Sequence, residues 1–261
     1  MFPLAGLLLG ALSGLLVSAL ADVFVAAATA PEEVWAACVA ADSGGRGFWR
    51  CRLLNWRYGF HQTGRLWRRQ GWRQPRLWLT VTLLAALGHW LAQTPTSWGF
   101  MPLLLSAAFF ALVAVVDAET HLVPYEEALL GLLLGLSVGV HRHGLLGTLT
   151  GVLGGALVMG LLYWAGEIYT RWQARRRGEP PQDEPALGFG DVYLSGVLGA
   201  FLGWPGVLAA LTLGALLMGG FILLLGLALL LRQRSLRGFG SRFLPMGPFL
   251  VMATFWLMVT A

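Results

Sequence analysis

Residues 206–231, GVLAALTLGALLMGGFILLLGLALLL, run for 26 positions without a charged side chain. A helix needs ~20 apolar residues to cross the ~30 Å hydrocarbon core of a bilayer, and lipid offers no partner to an open backbone group. A run of this kind therefore commits the chain to membrane-spanning helices. The remaining sequence agrees, since 57% of its 261 residues are hydrophobic and only 12% are charged, against roughly 25% in soluble domains. Apolar runs at 4–27, 77–93, 99–116, 125–140, 145–167, 191–203, 206–231 and 244–260 predict an all-α, polytopic integral membrane protein of about eight transmembrane helices. The second, fourth and sixth runs are short or broken by glycine. The first is read as a retained span, because no basic region precedes it and no small-residue cleavage site follows it.

Arginine sets the expected orientation. All 18 basic residues are arginine: nine lie between Arg46 and Arg76, four between Arg171 and Arg177, and four between Arg232 and Arg242. An eight-span count puts these clusters on one side of the membrane and leaves only Arg142 on the other. Short cytoplasmic loops are enriched in Lys and Arg, so segments 28–76, 118–124, 168–190 and 232–243 are expected in the cytoplasm. Charge that flanks spans in this way points to the lipid bilayer as partner and argues against nucleic acid. Segment 28–76 alternates Trp and Arg, a pattern suited to anionic headgroups, and with residues 1–27 it is expected to form an N-terminal region separate from 77–261. The loop RWQARRRGEPPQDEPALGFG, with its Pro, Gly and mixed charge, is expected to be mobile. Cys38 and Cys51 form no CxxC pair, so neither a disulfide framework nor a thiolate metal site is expected.

Two carboxylates stand out against this background. Asp117 closes the third run, LLLSAAFFALVAVVDAETHLVP, and Asp191 opens the sixth in ALGFGDVYLSG. The expected topology brings both to the same cytoplasmic boundary. An acid at the edge of a span is expensive and is by default a functional-site hypothesis. Like charges held close cannot both ionise, so the two would share one proton. The ionised member then takes a proton from water while the protonated member gives one to a carbonyl, which is the chemistry of aspartic peptide hydrolysis. Gly188 and Gly190, lacking Cβ atoms, allow the backbone to turn sharply or approach a substrate strand just before Asp191. Taken alone, Asp191 also reads as a helix-start acid favoured by the macrodipole; Asp117, at a C-terminal end, does not.

These residues resemble the type IV prepilin leader peptidases, membrane aspartic proteases of the GxGD type. The resemblance rests on Asp117 followed by a short polar stretch with Pro124, on GFGD at 188–191 followed by LSGVLGAFLGW, and on LPMGPFL at 244–250. It covers roughly residues 77–261. It implies an aspartic endopeptidase in a prokaryotic inner membrane, its active site facing the cytoplasm. Asp117 and Asp191 would be the catalytic pair, and the substrate a prepilin or pseudopilin cut between a short basic leader and an apolar helix. The sequence departs from the family in three places. Tyr193 stands where a lysine is usual, Val123-Pro124-Tyr125 replaces the usual Leu-Pro-Asp or Leu-Pro-Asn, and the two CxxC pairs of many members' first cytoplasmic segment do not occur. Cys38, Cys51 and His61 lack the spacing of a tetrahedral site, so no zinc and no other cofactor are expected, and the chain reads as a peptidase without the methylating activity.

Other residues carry two readings each. Glu119, Glu126 and Glu127 sit beside Asp117, either to bind a basic leader or as boundary charges that balance nearby arginines. His121 reads as a solvated or capping residue in preference to a general base. His141 and His143 flank Arg142 on the exported side, without a third metal ligand. Pro245, Gly247 and Pro248 either border the active site or start the last span. Glycines in GVLGGALVMG and GALLMGG permit close helix packing. A proton-coupled small transporter and a catalytically silent membrane assembly factor are the alternatives. Acids near span centres would favour transport, whereas both acids here are expected at one end.

Overall fold

A computed structural model of the chain describes residues 3–29, 59, 75–177, 188–231 and 245–260. Residues 30–58 and 60–74 of the Trp- and Arg-rich segment, with Cys38, Cys51 and His61, residues 178–187 of the expected mobile loop, and the arginines at 232–242 lie outside the described residues. The described residues form seven α-helices and no strand: α1 Pro3–Ala28, α2 Pro75–Gln93, α3 Phe100–Thr120, α4 Tyr125–Arg177, α5 Phe189–Leu202, α6 Gly206–Leu231 and α7 Gly247–Thr260. By length and apolarity, four of them are candidate membrane crossings: α1, α3, α4 and α6. Helices α5 and α7 are apolar but have 14 residues each, or ~21 Å of helix. The runs expected as separate spans at 125–140 and 145–167 form one element, α4, interrupted at Gly144 with φ 71 and ψ 169. That backbone conformation is open to glycine and closed to residues with a Cβ.

The chain divides into two compact units, Met1–Thr120 and His121–Ala261. In the first, α1 pairs with α2 and α3. The α1–α2 seam runs along Gly6, Gly10 and Gly14, spaced four apart, and a Cβ on Gly10 would overlap the carbonyl oxygen of Leu84. Such small-residue stripes let backbones approach when lipid supplies no hydrophobic drive between helices. The side chains that fill the remaining space include Val17, Phe24, Leu77, Leu84, Leu103 and Phe110, all buried.

In the second unit, α4 folds back at Gly144. Tyr125 and Tyr163 lie 19 residues before and after the break, and through Tyr193 and Phe189 both reach the first turns of α5. Helix α5 therefore lies in the fork. Gly139 of the first arm meets Ala200, and Gly151 and Gly155 of the second arm meet Gly199 and Ser195 so closely that a Cβ on any of these three glycines would overlap a carbonyl of α5. Leu194 to Leu202 are all buried as a result. His143, beside the break, places Nε2 3.2 Å from the carbonyl oxygen of Phe201. Beyond the fork, α7 packs on α6, with Gly214 against Leu250. Most of α6 presents bare leucine: Leu216, Leu223 and Leu231 are 72%, 75% and 77% exposed. A charge-free helix with so much apolar surface uncovered belongs in hydrocarbon.

The packing separates two kinds of glycine, with opposite consequences for substitution. Gly199→Ala forces a methyl onto the Gly151 carbonyl and is expected to destabilise the second unit by about 1–3 kcal/mol. Gly219→Ala, at a position with nothing within 4 Å, is expected to leave stability unchanged or slightly raised. Thermal melts of the two purified variants in one detergent check both, and equal melting temperatures would contradict the close α4–α5 packing.

Candidate functional site

Asp117 and Glu119 lie in the last turn of α3, where the helix macrodipole is negative and acids are disfavoured. Helix α3 has no basic residue in that turn, and neither has α1, whose Asp22 lies six residues before its end. The cation comes from the second residue of α2. Arg76 sets Nη2 on Oδ1 of Asp22 and Nη1 on Oε1 of Glu119, so one guanidinium fork ties three helices. A cation thus sits beside the negative end of α3 and on the acid of α1, while two carboxylates sit beside the positive end of α2, whose first turn contains no acid. Asp22 is 7% exposed. Removing Arg76 would take away the cation paired with that buried acid, and breaking a buried ion pair is strongly destabilising.

Asp117 itself is 6% exposed. The helix carrying it closes immediately afterwards: the Thr120 hydroxyl donates to the Val116 carbonyl at 2.8 Å, and His121 adopts φ 55. Left-handed backbone at the residue after a helix is a common stop, and histidine tolerates it better than most residues. His121 thus has a backbone role at this boundary, in line with its reading as a capping residue.

Asp191 stands in the first turn of α5. Gly188 is the N-cap, with extended backbone at φ −68 and ψ 136. Its carbonyl accepts the Asp191 N–H at 3.1 Å. The Asp191 carboxylate turns back over this cap, so that a Cβ on Gly188 would come within 3.5 Å of Oδ2. An acid held there faces the open N–H groups and the positive end of the helix, a stabilising place for negative charge. Gly190 serves a different purpose: a Cβ there would lie 3.1 Å from Cβ of Val123. The residues just before α4 consequently approach the turn that holds Asp191. Phe189 stacks edge-on with both Tyr163 and Tyr193, at 5.5 and 4.9 Å between ring centroids, and Tyr193 meets Tyr125 at 6.1 Å. This aromatic row ties the start of α5 to both arms of α4. Beside it opens an apolar cavity of about 330 Å³, whose walls include Tyr125, Leu129, Leu132, Ala156, Val192 and Tyr193.

The other expected residues fall on helix starts. Glu126 and Glu127 are in the first turn of α4, a position that suits acids for dipole reasons alone. Glu126 is half-buried, and Glu127 is 1% exposed. Pro245 precedes α7, and Gly247 is its first residue, buried, with the Met246 carbonyl accepting from Phe249 and Leu250. Glu119 is engaged by Arg76. Among the described residues, no three His, Cys, Asp or Glu side chains are arranged to hold a metal ion. Asp22 is the residue that sequence reasoning missed. Its signal was present: a lone acid inside the otherwise uncharged run 4–27 needs a partner.

Comparison with known proteins gives a consistent picture. Residues 103–224 match the model of the type IV leader peptidase family. The curated prepilin leader peptidase/N-methyltransferase of Aeromonas salmonicida is 30% identical over 186 residues, which are 69% of this chain and 56% of that protein. The proteins of the same name from Aeromonas hydrophila and Pectobacterium carotovorum subsp. carotovorum are 30% identical over 179 residues and 34% identical over 143 residues, covering 67% and 53% of this chain and 53% and 46% of theirs. The chain thus spans about half the length of these curated relatives. No solved structure matches it.

The aromatic row gives the Asp191 turn a testable anchor. Phe189→Ala removes two edge-on ring pairs and is expected to cost about 1–3 kcal/mol. Tyr193→Phe keeps its rings and is expected to stay within about 0.5 kcal/mol of the parent. Equal melting temperatures for Phe189→Ala and the parent would show that the row does not hold the turn.

Proposed function

Through residues 103–224 the chain belongs to the type IV leader peptidase family, and on that premise we propose that it is a membrane aspartic endopeptidase that removes the basic leader from a prepilin or pseudopilin. The observation that carries this reading is the turn at Gly188–Asp191. A bare, extended N-cap lies beside the acid, and a second glycine at 190 admits the segment with Val123. Val123 follows Asp117 by six residues, ~20 Å of chain at full extension. Asp117 and Asp191 form the catalytic pair in this proposal. They share one proton; the ionised carboxylate draws a proton from water as it attacks the scissile carbonyl, and the protonated one donates to the carbonyl oxygen. On collapse of the tetrahedral intermediate, the carboxyl that took the water proton passes it to the leaving amine, while the other recovers a proton from a hydroxyl of the intermediate, so the pair again shares one proton.

The same reading assigns the surroundings. Gly188 and Gly190 leave room for an extended substrate strand, whose carbonyl must be free of helical hydrogen bonds to react. Glu126, half-buried at the start of α4, offers negative charge to a basic leader, and Glu127 adds to the local potential. The turn at Pro245 and Gly247 borders the site. If the eight apolar runs alternate across the bilayer, both aspartates and all three arginine clusters fall on the cytoplasmic face of a prokaryotic inner membrane, as the positive-inside rule expects. The proposed activity is the peptidase alone, since residues 28–76 contain no CxxC pair.

The deciding experiment is cleavage of a prepilin-type substrate, with a basic leader ending in glycine before an apolar helix, by membranes containing the parent, Asp117→Asn or Asp191→Asn. The parent is expected to shorten the substrate, and each folded variant to lose about 10³-fold or more in rate. A parent inactive on several such substrates, or a variant that cuts like the parent, would favour the assembly-factor or transporter reading instead.

A further inference from the structure

We propose that Arg76 is a positioning residue for Asp117: by bridging Asp22 of α1 and Glu119 of α3, it fixes the helical turn from which the Asp117 carboxylate acts. The proposal rests on the peptidase reading above and adds to it a residue outside the matched segment 103–224.

That turn is intrinsically weak. The last four carbonyls of an α-helix lack intrahelical partners, and terminal turns open most easily. This one also carries two acids at the negative end of the dipole, with no basic residue of its own. An acid used for proton transfer has to be held to a fraction of an ångström. A cation anchored on another helix, so that it does not move with α3, steadies such a turn. Arg76 meets both conditions. It begins α2, so its backbone belongs to a separate helix, and its other Nη is committed to Asp22 on a third. The α1–α2 pair beneath it is locked by the Gly6, Gly10 and Gly14 seam. The Thr80 hydroxyl, one turn along α2, shares its one proton between the Arg76 and Leu77 carbonyls at 3.1 and 3.0 Å. A planar fork reaches two carboxylates at once, whereas a lysine ammonium at the same place is a single point of charge.

The clasp assigns Glu119 a different task from leader binding. If Glu119 met the substrate, its loss would weaken binding and raise KM. If it holds the Asp117 turn, its loss lowers kcat and spares KM. The experiment measures kcat and KM for the prepilin-type substrate on the folded, monodisperse fraction of the parent, Arg76→Met, Arg76→Lys and Glu119→Gln, with Glu167→Gln as control. Glu167 pairs only across a helix turn with exposed Arg171, and its variant is expected to match the parent. Arg76→Met is expected to lower kcat about tenfold or more with KM within about twofold. Arg76→Lys, keeping the charge, is expected to recover part of the loss. Glu119→Gln leaves the buried Asp22–Arg76 pair intact and carries the test if Arg76→Met does not fold. It is expected to lower kcat severalfold at an unchanged melting temperature. Parental kcat in folded Arg76→Met or in Glu119→Gln, or a change confined to KM, overturns the clasp while leaving the peptidase reading standing. A parent that cuts no such substrate overturns the peptidase reading, and the clasp with it.

Discussion

Two helices immersed in hydrocarbon gain nothing by hiding leucine from lipid, so their association depends on how closely their backbones come together and on the few polar contacts between them. Both devices are visible here, and they divide the labour. Glycine sets distance: the Gly6, Gly10 and Gly14 seam in the first unit, and the Gly151–Gly199 and Gly155–Ser195 contacts in the second, all bring backbone onto backbone. Polar contacts set register and axial position, as Arg76 does for α1 and α3. The large side chains left over face outward, which is why α6 leaves leucines more than 70% exposed. The same surface on a protein in water would be an aggregation site.

Placing α5 inside a fork of α4 has a direct consequence for chemistry. A 14-residue helix is too short to span ~30 Å of hydrocarbon by itself, yet its backbone must still be shielded from lipid or paired. Enclosure by the two arms of α4 meets that requirement over Leu194–Leu202. It leaves the N-terminal turn, with Gly188 and Asp191, as the end that emerges. The aromatic row then pins the emerging end to both arms. A short helix is thus an asset, because its first turn presents a carboxylate at a fixed height without the helix having to continue past it.

Much of this was legible in the sequence, and the misses have physical reasons. The break at Gly144 is marked by a glycine after a polar triplet, and the two runs on either side fall on the two arms of α4. GFGD reads correctly as the start of a helix with an acid in its first turn. Hydropathy counts apolar runs without weighing their length against a bilayer. The runs at 125–140 and 145–167 form one kinked element, so the eight apolar runs correspond to seven helices among the described residues, four of them long and apolar enough to cross. Asp22 was hidden for a related reason: one acid hardly lowers the average of a 24-residue run, although its cost in lipid is large. Arg76 was read as one of nine arginines that set orientation. That reading is about where charge sits, and pairwise contacts between distant residues do not appear in it. Likewise Glu127, taken as a boundary charge or leader contact, is enclosed in the first turn of α4 because the face it occupies packs inward.

Tyr193 shows how the electrostatics and packing of the second unit depend on each other. The resemblance leads one to expect a lysine two residues beyond the GxGD aspartate, where an ammonium would add positive potential to the same turn. Tyrosine adds none, so the helix N-terminus becomes a fixed source of that potential, equivalent to about half a positive charge and independent of any side chain's conformation. What tyrosine contributes is structural. Its ring meets Phe189 and Tyr125 and forms part of the wall of the apolar cavity beside Asp191. A lysine would have to reach past that row into polar surroundings, and the edge-on contacts that anchor the turn would be lost. The substitution therefore exchanges a mobile charge for a rigid apolar surface, next to an acid that already lies in the first turn of α5, at the positive end of the helix dipole.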